Sequence, residues 1–106
     1  MRIIDTEDKI LSGDNHPQLK IGNKLYTVDD RKSTWDKIQK IQEDDNFEDK
    51  DIAILKLALG EKEMAEILEN DELSASGFIN LTFFVMSAIT GEDYDELKKA
   101  ARERKN

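Results

Sequence analysis

The sequence predicts a mainly α protein: an N-terminal β-hairpin followed by about five helices packed as a small bundle. Three observations carry that expectation. Apolar residues recur at helical spacing from Trp35 onward. Two short β-prone runs flank a single Gly22-Asn23 dipeptide. Residues 77–88, GFINLTFFVMSA, are the one strongly apolar stretch in a chain that is 38% charged with formal net charge -8.

One domain is expected over residues 1–106, with 1–17 loosely ordered, a hairpin over 18–28 and helices over 29–105. Hydrophobic residues at 38% fall below the usual share. A core of that size leaves a monomer marginally stable, so partner binding or a homo-oligomer would help. The absence of cysteine excludes disulfides and thiolate metal sites. The opening MRIIDTEDKI lacks the apolar core of a secretory signal. Residues 78–89 fall short of the roughly 20 apolar residues a membrane span needs. A soluble, cytoplasmic protein is expected. The negative charge disfavours nucleic acid and anionic membranes and favours basic partners, or serves solubility alone.

Ile3, Ile4, Ile10 and Leu11 suggest a loose strand before the turn formers at 13–17. In the hairpin, Gly22 supplies a positive φ at the first turn position and Asn23 tolerates one at the second. The resulting register sets Ile21 opposite Lys24 and Leu19 opposite Tyr26. Asp29 and Asp30 end the strand. Ser33 is the expected cap of the first helix, with Asp36 three residues on. Trp35, Ile38 and Ile41 form its stripe, and it should stop near Glu43 before Asp44-Asp45-Asn46. A second helix is expected over 48–59, with Ile52, Leu55 and Leu59 on one face and Gly60 after its end. A shorter one over 61–70 turns Met64, Ile67 and Leu68 inward. The helix over 75–90 is apolar on nearly every face, which predicts a central position. Phe78, Leu81, Val85 and Ala88 line one side, and Ile79, Phe83, Met86 and Thr90 another. Thr90 is the expected cap of the last helix, with Tyr94, Leu97 and Ala101 inward. That helix runs from acidic to basic (Lys98, Lys99, Arg102, Arg104, Lys105), which suits its dipole.

No catalytic site, cofactor site or metal site is legible. His16 stands beside Pro17 in an expected loop, without a nucleophile, and reads as a solvated histidine. No phosphate-cradling glycine loop occurs. A calcium loop counted from Asp44, Asn46 and Glu48 fails at its sixth position, Asp49, and at its twelfth, Leu55. The basic C-terminal cluster has no interleaved aromatic, so it reads as a dipole partner, not a nucleic-acid site. Phe83, Phe84 and Met86 lie close together, and Phe84 falls off both stripes. With Trp35 and Tyr94 they are the candidate partner-binding residues.

IGNKLYTVDDRKST (residues 21–34), followed by DKI (36–38), resembles the opening of small tail assembly chaperones of long-tailed phages and prophages of Gram-positive bacteria. LKLALG (55–60), GFINLTFFVMSAI (77–89) and GEDYDEL (91–97) are similar to that family's later helices. The resemblance covers roughly residues 18–100. It implies a helical, non-enzymatic protein of the host cell cytoplasm that binds the tape measure protein before the tail tube polymerises, and is then displaced. Many such proteins also have a longer form made by ribosomal frameshifting. The alternative is an acidic regulatory or adapter protein that binds a basic protein surface. An exposed apolar groove favours the chaperone. A continuous acidic face over a fully buried 83–86 segment favours the adapter.

Overall fold

Gly22, at φ 62°, turns the chain between β1 (Gln18–Ile21) and β2 (Lys24–Thr27). The strands pair antiparallel with Leu19 opposite Tyr26 and Ile21 opposite Lys24, the register the sequence predicts. Asn23 keeps a negative φ, so the positive angle falls on the first turn residue alone, as in a type II′ turn. The computed structural model describes residues 1–7, 9–11 and 13–104. After the hairpin come α1 (Lys32–Glu43), α2 (Lys50–Leu59), α3 (Glu61–Glu69), α4 (Ala75–Thr90) and α5 (Tyr94–Arg104). The architecture is therefore mainly helical with a leading hairpin and five helices. Lys105, which belongs to the expected basic cluster, lies outside the described residues.

The chain leaves the hairpin through a latch centred on Asp29. Val28 N–H donates to the Pro17 carbonyl at 2.9 Å, and Asp29 N–H donates to the Ala58 carbonyl at 2.8 Å, tying strand to α2. The Asp29 carboxylate accepts from the Arg31 backbone N–H and guanidinium and, at 2.7 Å, from the Thr34 hydroxyl. Thr34 is buried. These bonds set the helical phase by residue 32, two residues too early for Ser33 to cap. Ser33 instead lies inside α1, and Lys32 pairs with Asp36 along its flank.

α2, not α4, is the hub. It packs against α1, α3 and α4, whereas α4 packs against α2, α5 and β1. Leu55, Val28, Met64 and Val85 are fully buried at the centre, joined by Tyr26, Ala58, Leu59, Ile67 and Leu81. Ile38 of α1 is equally buried. α2 starts at Lys50 instead of residue 48, because Asp44 folds the connection first. Its carboxylate accepts from Asn46 N–H and its carbonyl from Phe47 N–H. Asp49 then takes a left-handed turn at φ 51° into the helix. Gly60, at φ 103°, ends α2 and starts α3 within one residue, a conformation a side chain resists. Lys24 reaches from the hairpin to Glu66 on α3 as an exposed ion pair.

Four further expectations are corrected. Leu68 is 41% exposed, because α3 is covered on one side only and Met64 and Ile67 already fill that side. No strand forms among the described residues 1–11, and Ile3, Ile4, Ile10 and Leu11 stand exposed, since nothing pairs with them. Thr90 ends α4 instead of capping α5. Its hydroxyl donates to the Met86 carbonyl, and Asp93 accepts from Asp95 N–H. His16 is half-buried, not freely solvated. Its Nδ1 lies 2.7 Å from Asp30 Oδ1 and holds the loop to the start of α1.

The Arg31 guanidinium, with help from the Thr34 hydroxyl and the Arg31 N–H, holds the Asp29 carboxyl well below the usual carboxylate range. A lowered folded-state value adds stability that is complete above the unfolded value of about 3.9 and is lost as pH falls below it. Asp29→Ala should therefore cost about 1–2 kcal/mol in urea unfolding at pH 7 and distinctly less at pH 2, where the unfolded carboxyl is protonated and part of the ionic contribution is gone. An equal loss at both pH values would show that the latch does not act through the carboxylate.

Candidate partner-binding surface

α4 owes its position to its two ends. Ser74 caps it, its Oγ accepting from Gly77 N–H at 2.9 Å. Gly91, at φ 78°, closes it, its N–H donating to the Ser87 carbonyl. Between these caps the helix has more apolar side chains than its neighbours cover. Leu81 and Val85 are buried, and Phe78, Ala88 and Ile89 pack against the core. Ile79 remains 54% exposed and Phe84 45% exposed. The expected central position is corrected accordingly: an all-round apolar helix lies at one side of the bundle, with an uncovered face.

α5 covers part of that face and packs chiefly on α4. The Tyr94 ring lies parallel to Phe84, with centroids 4.0 Å apart and 9° between planes. It meets Phe83 edge-on, at 6.4 Å and 84°. Its hydroxyl donates to Asn80 Oδ1 at 3.0 Å, and Lys98 Nζ donates to the same oxygen. Parallel stacking and a shared acceptor thus anchor one edge of α5.

The other edge stands away from α2 and leaves a cleft of about 390 Å³. Ile79, Phe83 and Met86 of α4 form its floor, Ile54 and Asp51 of α2 one wall, and Leu97, Ala100 and Ala101 of α5 the other. Thr82 also lines it, but its hydroxyl donates to the Ile79 carbonyl of its own helix at 2.6 Å. The floor therefore makes few hydrogen-bonding demands on an occupant. Small alanines on the α5 wall leave room for bulky side chains.

Four of the five candidate residues gather here. Phe83 and Met86 line the cleft, and Tyr94 and Phe84 form the stacked edge beside it. Phe84 also borders a smaller hollow of about 220 Å³ with Leu19, Ile21 and Leu81. Trp35 stands apart. It borders a separate hollow with Ile10, Lys32, Ile89 and Thr90. Sequence reasoning did not assign Ile54, Ala100 or Asp51 to the site. Only the juxtaposition of α2 with α5, distant in sequence, brings them in. Among the described residues no helix is long and apolar enough to cross a membrane, and no group of three or more His, Cys or acidic side chains is placed to hold a metal ion. No family model matches the chain, and neither curated proteins nor solved structures provide a match.

The Tyr94–Phe84 stack ties α5 to the body. Phe84→Ala should speed hydrogen exchange of α5 amides about tenfold while α2 amides change little, in keeping with ~0.5–1.5 kcal/mol for an aromatic pair. Unchanged exchange in α5 would mean that other contacts hold it.

Proposed function

We propose that this protein is a phage tail assembly chaperone. It acts without catalysis, holding apolar helical segments of the tape measure protein in the host cytoplasm until the tail tube takes them over. The observation that carries this reading is the open apolar cleft between α2, α4 and α5. Helix-in-groove recognition uses such a floor, with anchors from successive turns of one face of the guest helix. Burial contributes about 25 cal/mol per Å² of apolar surface, offset by the cost of association. A cleft this small gives the moderate, reversible affinity that hand-over requires. The likeness of residues 21–34 and 77–89 to tail assembly chaperones supports the same reading.

The competing adapter reading expects the 83–86 segment to be sealed. The exposure of Phe84 and the open floor at Phe83 and Met86 argue against it.

Co-expression tests the proposal. A tape measure protein co-expressed with the wild-type chain should be recovered soluble and full-length. It should be largely lost to the pellet with Met86→Glu, which puts a charge on the cleft floor while circular dichroism stays unchanged. Soluble recovery without the chain, or with Met86→Glu, would refute the proposal.

A further inference from the structure

Trp35 is the one candidate residue that the α2–α4–α5 cleft leaves out, and the hollow it borders has a segment of the same chain at its edge. That hollow, of about 240 Å³, lies between the start of α1 and the end of α4. Trp35 and Ile89 are half-buried along it, and Asp30 and Lys32 also border it. Ile10, from the segment before the hairpin, stands at its edge. Ile10 is 73% exposed there, and Leu11 beside it 80%. Two large aliphatic side chains are thus held in water next to apolar surface that has room for them, and moving them onto it is favourable.

The chain is fixed on either side of Ile10. Before it, Lys9 N–H donates to the Thr6 carbonyl at 2.9 Å, and Glu7 N–H donates to the Asp5 carboxylate at 3.0 Å. After it, Gly13 takes φ 62° and His16 N–H donates to the Asp14 carbonyl at 3.0 Å. The His16 ring is then clipped to Asp30, and the Pro17 carbonyl accepts from Val28 N–H. Asp30 is itself a border of the hollow. The segment therefore leaves the hollow at Ile10, turns at Gly13 and returns to the same hollow at the His16–Asp30 clip. A loop so short costs little chain entropy to close, and its tether gives Ile10 an effective concentration at the hollow of about millimolar.

We propose that residues 9–11 are a strap that closes over the hollow of their own chain, seating Ile10 between Trp35 and Ile89. The closed strap withholds Trp35 from other chains. A partner reaches that indole only after the strap lifts. The strap is independent of the client-holding cleft, which lies on the opposite flank of the Trp35 assignment and shares no bordering residue with the hollow.

Trp35 is the only tryptophan of the chain, so indole emission reports on the hollow alone. Ile10→Asp/Leu11→Asp brings carboxylates towards Asp30 and should raise acrylamide quenching about twofold, with a red shift, as the indole passes from half-buried to exposed. Ile3→Asp/Ile4→Asp changes the same segment away from the hollow and should quench as the wild type does. Unchanged quenching in the first variant, or an equal rise in the second, would overturn the proposal. The chain has no cysteine, so Ile10→Cys/Thr90→Cys gives a second readout across the hollow. Oxidised at about micromolar concentration, this variant should cross-link within one chain, favoured roughly a thousandfold over linkage between chains. A disulfide-linked dimer would assign the hollow to a second copy's strap, and absence of any cross-link would mean that the strap stays open. Either result refutes the proposal.

Discussion

Everything in this fold turns on how α2 is surrounded. It is only ten residues long, yet α1, α3 and α4 all lean on it, and the hairpin exit is hydrogen-bonded to its last turn through Ala58. Leu55 faces inward with no exposure, and Val28 from the hairpin exit, Met64 from α3 and Val85 from α4 are buried with it. A hub so short covers one side of its largest neighbour and no more. α4 is sixteen residues long and apolar around most of its circumference. The hairpin takes a second side, α5 takes part of a third, and Ile79, Phe83 and Met86 are left along an open cleft. The candidate site follows from this mismatch between apolar supply and available cover.

The local elements were legible because their signals are local. Gly22-Asn23 fixed both turn and register, since a two-residue loop allows one pairing of the flanking strands. The apolar run placed α4 over residues 75–90, the span it occupies. The missed boundaries have non-local causes. α1 starts before Ser33 because the Asp29 carboxylate, outside the helix, accepts from the Arg31 N–H and the buried Thr34 hydroxyl. α2 starts late because Asp44 spends its carboxylate and carbonyl on the connecting turn. Leu68 was misplaced because a helix covered on one side only leaves the edge of its stripe in water.

The site was legible as a composition but not as a place. An all-round apolar helix is compatible with two opposite fates, burial at a centre or display at an edge, and periodicity does not distinguish them. Phe84 was the residue that fell outside both stripes, and it is the one that stands out with its ring against Tyr94. Trp35 carried the same aromatic signal, yet the turn of α1 takes it to a different hollow.

The central claim is that the floor of the α2–α4–α5 cleft is open to solvent in the free protein. Methyl NMR with a soluble paramagnetic agent measures this most directly. The Ile79 and Met86 methyl groups should broaden strongly, while those of Leu55 and Val85 should not, although all four lie within one hub and its neighbour. Equal protection of Ile79 and Met86 with Leu55 and Val85 would mean that the cleft is closed in solution, and the account of α4 as a displayed helix would be contradicted.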